Sequence, residues 1–155
     1  MQWMSLASAV LGAAIGIAST LLADRARWRR DMQDRQQELR RDVYAEFLSA
    51  LSETRRCLWE AARDSSLPMP ERAQMARDAH AQWATHSLRI KVDLVAPKEL
   101  LPHVDRAYRS MCDLRDAIEG GALYGDAEYH AQRESFHRDL HTLRLEMRRD
   151  LSIDQ

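Results

Sequence analysis

The chain has 155 residues, with 23 basic and 24 acidic side chains and a formal net charge of −1. A balance so near zero gives no reason to expect nucleic acid as the main ligand. Its two cysteines, Cys57 and Cys112, show no CxxC and no metal-ligand spacing, which excludes a disulfide framework and fits a reducing compartment.

The first stretch, Trp3 to Ala23, carries no charged side chain. As a helix it would be about 31 Å long, the thickness of a bilayer's hydrocarbon core. Arg25, Arg27, Arg29 and Arg30 follow directly. A cleavable leader places its cations before the apolar run, so this order favours an anchor. Cations beside a span stay on the cytoplasmic side. The expectation is a single-span protein of a bacterial inner membrane, N-terminus out, with most of the chain cytoplasmic. Trp3 and Trp28 bracket the run at headgroup positions, and the four arginines complete a membrane-interface set.

Within the run, Ser8, Gly12, Gly16 and Thr20 recur every four residues. Small residues at that spacing let two helices approach closely in lipid, so these four are the candidate self-association face. The partners expected are therefore the bilayer, further copies of the chain and a cytoplasmic protein. No cofactor is expected.

No glycine or proline occurs between Gly16 and Pro68, so the helix is predicted to run on. Residues 24–38 form a charged helical neck, and its stretch Gln33-Asp34-Arg35-Gln36-Gln37-Glu38 has no apolar residue on any face. From 39 a helical period begins, with Leu39, Val43, Phe47, Leu51, Leu58 and Ala62 on one stripe. Pro68 and Pro70 break it. The spacing predicts one second helix from Pro70 to about Val95, with Ala76, Ala79, Trp83, Ser87, Ile90 and Leu94 inward. A third puts Leu101, Val104, Tyr108, Met111, Leu114 and Ile118 inward and ends at Gly120-Gly121. A last helix, N-capped by Asp126, buries Tyr129, Phe136, Leu140, Leu143, Met147 and Leu151. No window alternates with a strand's period. The fold class is all-α: residues 3–23 a transmembrane helix, 24–38 a neck, and 39–155 an antiparallel bundle of about four helices.

One polar stripe could carry chemistry. His130, Glu134, His137 and His141 share a face of the last helix at spacings suited to a divalent metal. Di-iron bundles need a second Glu-x-x-His and two more glutamates, and the sequence has neither. The stripe also lies about 110° from the apolar one, which favours a solvated flank. HEPN-type nucleases carry an Arg, four to six residues and a His, whereas Arg133 and His137 have only three between them. No converging catalytic set emerges, so the expectation is a non-enzyme.

From Arg27-Trp28-Arg29-Arg30 through Arg40-Arg41-Asp42-Val43-Tyr44-Ala45-Glu46-Phe47-Leu48, the chain resembles small single-span membrane proteins of GC-rich bacteria. The resemblance covers the first third and implies an anchor, not an activity. In layout the chain also looks like CRISPR-linked accessory proteins that assemble a membrane pore, though their nuclease-like motif is not intact here. The functional expectation is self-assembly or partner binding at the membrane. A pore-forming or membrane-perturbing effector is the alternative, and a metal-binding bundle or degenerate nuclease the second.

Overall fold

The computed structural model describes the backbone of residues 2–151 and the side chains of 24, 25 and 27–151. It is all-helical: α1 (Gln2–Arg63), α2 (Met69–Gln82), α3 (Thr85–Val95), α4 (Leu101–Glu119) and α5 (Ala127–Asp150). The chain divides into two units, Met1–Glu38 and Leu39–Gln155. In the first unit every described side chain is exposed, Trp28 at 66%. Arg25, Arg27, Arg29 and Arg30 are among them. Trp3, Ser8, Gly12, Gly16 and Thr20 lie outside the described side chains. Among the described residues no helix is long and apolar enough to cross a membrane.

The second unit is a helical bundle, as its 3–4 residue spacing predicts. Cross-helix bonds give its register. Arg40 and Tyr44 meet Asp150, Arg144 reaches Ser52, and the Tyr124 amide donates to the Ala62 carbonyl, so α1 and α5 run antiparallel. Arg72 reaches the Gly121 carbonyl, Arg77 pairs with Glu119 and His80 meets Tyr108, which sets α2 antiparallel to α4. Phe47, Leu51, Leu58, Met111, Leu114, Phe136 and Leu143 fill the centre. They come from stripes with a period near 3.6, the condition for burying one face of each helix.

The end of α4 closes as its two glycines predict. Gly121 adopts φ 108°, which a side chain would resist, and the Ala122 amide returns to the Ala117 carbonyl at 3.0 Å. That six-to-one bond satisfies a carbonyl the helix end would leave open. Asp126 departs from expectation. It precedes α5 but makes no side-chain cap; its carboxylate accepts from the Leu123 amide at 2.7 Å and braces the loop instead.

The largest correction concerns the second predicted helix, which is two helices. Ala84 stands between them in the left-handed region, φ 48° and ψ 32°. The Thr85 hydroxyl donates back to the His80 carbonyl at 3.4 Å, occupying an acceptor near the end of α2. One left-handed residue turns the register of everything after it. Ala76 and Ala79 are buried as predicted, but beyond the break Thr85, Leu88 and Val92 point inward. Ser87, Ile90 and Leu94, expected inside, are exposed, and Trp83 is only half-buried. Leu39 is likewise exposed, at 54%, because the α1 stripe finds cover only from Val43 onward. Leu101 and Tyr108 sit half-buried at the edge of the core.

Candidate interaction surfaces

Beyond the turn at Ala84, α3 leaves two large aliphatic side chains in the open. Ile90 is 49% exposed and Leu94 80%. Leu94 and Val95 line a shallow groove with Leu39 and Val43 of α1, edged by Asp42, Glu46 and Lys91. Lys91 Nζ holds Glu46 at 3.2 Å across the two helices. Large aliphatic side chains at such exposure gain little packing within the chain. The groove's edge thus carries charges of both signs.

A second groove lies between α1 and α5. Tyr44, Leu48, Leu145 and Leu151 form its apolar part, with Arg41 and Arg144 among the cations beside it.

A third feature is a polar cluster where α2, α3 and α4 meet. His80 Nε2 lies 3.2 Å from the Tyr108 hydroxyl, and Arg89 stacks over the Tyr108 ring at 5.2 Å. Arg89 also pairs with Asp105 at 2.8 Å, which fixes the guanidinium over the ring. Burial pushes the His80 imidazole down, with Arg115 and His86 adding to it, so the neutral ring is favoured. Burial pushes the nearby Cys112 thiol up, which keeps it protonated at neutral pH and a poor nucleophile. The cluster packs polar groups at a helix junction rather than activating one of them.

The stripe on α5 falls outside the core. His130, Glu134 and His141 are exposed and His137 is half-buried. The His130 ring meets those of Tyr124 and Tyr129 edge-on, both with centroids 5.7 Å away. Burial pushes His137 down, with Arg55 and Arg133 adding to it. Cations on that side oppose a further positive charge. Among the described residues no three His, Cys, Asp or Glu side chains group as a metal site would require.

Sequence reasoning placed the α5 stripe on a flank but missed both grooves. The α3 surface was hidden by assigning Ile90 and Leu94 to the core. The α1–α5 groove has a faint signal: Arg41, Tyr44, Ala45 and Leu48 on α1, and His141, Arg144, Leu145 and Arg148 on α5, repeat one i, i+3, i+4, i+7 pattern. No family model, curated protein or solved structure matches the chain.

Proposed function

We propose that this chain is a membrane-anchored, non-enzymatic protein that acts by assembling with copies of itself or with a partner through its helical bundle. The apolar surface of α3 carries the reading: Leu94 is 80% exposed beside Leu39, and burying both against a neighbour would recover about 2 kcal/mol or more per copy. Anchoring rests on the sequence alone, on the uncharged run 3–23 and the four arginines after it. The small-residue pattern Ser8, Gly12, Gly16 and Thr20 supplies a second contact within lipid.

The mass of the full chain in a mild neutral detergent tests the assembly. An oligomer is expected, and Leu94→Glu with Ile90→Glu should lower its mass while helical content holds. A wild-type monomer, or an oligomer indifferent to those changes and to Gly12→Leu with Gly16→Leu, would refute the reading. The anchor has its own test: carbonate extraction should leave the chain with the membranes, and release into the soluble fraction would remove it.

A further inference from the structure

The groove between α1 and α5 differs from the α3 surface in the charge it carries. It encloses about 370 Å³, a size usual for small-molecule sites. Its floor is apolar and sunken: Tyr44 and Met147 are each 2% exposed and Leu151 9%. Arg41 and Arg144 stand at its sides, together with His141, and among the described residues no carboxylate belongs to the lining. In a chain whose acids and bases nearly balance, that is a local excess of one sign. Asp150, at the end of α5, is engaged by the Tyr44 hydroxyl at 2.7 Å and by Arg40 at 3.4 Å. Among the described residues the partner of Arg144 is the neutral Ser52 hydroxyl at 3.4 Å, not a carboxylate.

The occupant must therefore join an apolar body to an anionic head. A second copy is disfavoured, since two such grooves facing each other would oppose cation to cation. A partner helix, about 10–12 Å across, grips by protruding side chains, whereas here Tyr44, Met147 and Leu151 lie almost wholly below the surface. Arginine stems lie along apolar surface and keep their guanidinium at the rim, where they can grip a carboxylate in a two-pronged bond.

We propose that this groove binds a free single-chain anionic amphiphile of the long-chain carboxylate class. Its chain lies over Tyr44, Met147 and Leu151, and its head meets Arg41 and Arg144. The site does not depend on the assembly reading.

A photoreactive dodecanoate probe tests it on the full chain in discs of zwitterionic phosphatidylcholine, with labelled peptides mapped by mass spectrometry. Label is expected in 41–48 and 141–151, competed by unlabelled dodecanoate. A trimethylammonium probe of equal length should label these segments about tenfold less. Arg41→Gln with Arg144→Gln should lower labelling by about the same factor, Arg→Lys at both should restore part of it, and Lys91→Gln should leave it unchanged. Unchanged thermal unfolding of the double variant separates lost binding from lost fold. Label spread along other helices, or indifferent to the head's charge, would overturn the proposal. So would label abolished by phosphatidylglycerol in the disc, which assigns the groove to a bilayer lipid. Segments shielded by a co-purifying protein that dodecanoate fails to displace would overturn it equally.

Discussion

The Tyr44 hydroxyl donates to Asp150 Oδ2 at 2.7 Å and joins the start of the α1 stripe to the last turn of α5. Arg40 holds the other carboxylate oxygen at 3.4 Å. Burial, and then the carboxylate itself, push the Tyr44 hydroxyl above its ordinary value of 10.0. The folded chain therefore grips this proton more tightly than the unfolded one. That contribution is complete below 10.0 and is lost as pH rises past it. Tyr44→Phe should lower the unfolding free energy by about 1–2 kcal/mol at neutral pH. It should also flatten the alkaline fall in stability. Urea titrations on either side of the tyrosine range check both.

Ala84 is the one non-glycine described residue with positive φ. A side chain there costs roughly 1–2 kcal/mol, and Ala84 is exposed, so its methyl returns little by burial. Ala84→Gly should stabilise the bundle by about 1 kcal/mol, read as a higher denaturant midpoint with an unchanged slope. A lower midpoint would mean the turn is not strained.

His80 gives the acid limb. Its pKa lies below the usual 6.5, chiefly because it is buried. The unfolded chain then takes the proton more readily, so stability is full above 6.5 and is lost as pH falls through it. His80→Gln should lessen that loss without abolishing it, because burial lowers His137 in the same direction. Denaturant midpoints from neutral to mildly acid pH, compared between the two proteins, report the slope.

Phe136 sits at 0% exposure between the stripes of α5 and its neighbours. Phe136→Ala should cost about 3–5 kcal/mol, through lost transfer energy and the cavity left behind. The adjacent His137→Ala, at a half-buried position, should cost far less. Thermal unfolding of the pair distinguishes core from flank one residue apart.

Where the sequence was legible, periodicity made it so. Val104, Met111, Leu114 and Ile118 on α4, and Tyr129, Phe136, Leu140, Leu143 and Met147 on α5, are buried as their spacing predicts. The break at Ala84 was not legible, because Gln82-Trp83-Ala84-Thr85 contains no glycine, proline or asparagine to announce it. Its left-handed turn is imposed by packing around it, and the Thr85 hydroxyl is the one local hint. Leu94 was then misassigned by arithmetic that was sound for an unbroken helix. The α1–α5 groove was hidden for another reason: a pattern repeated on two distant helices does not say that they adjoin, or in which register.

The Tyr44–Asp150 bond also spans 106 residues of chain, which sets a schedule for its making. At about 5–20 residues per second, a ribosome that has finished Tyr44 needs roughly 5–20 s more to reach Asp150. Through most of that interval Phe47, Leu51 and Leu58, made just after Tyr44, have no complete α5 to lie against. The nascent chain therefore displays an oily helix for seconds before its cover exists. Slower translation lengthens that exposure, and yield should track the supply of holding chaperones more closely than it tracks the stability of the finished bundle.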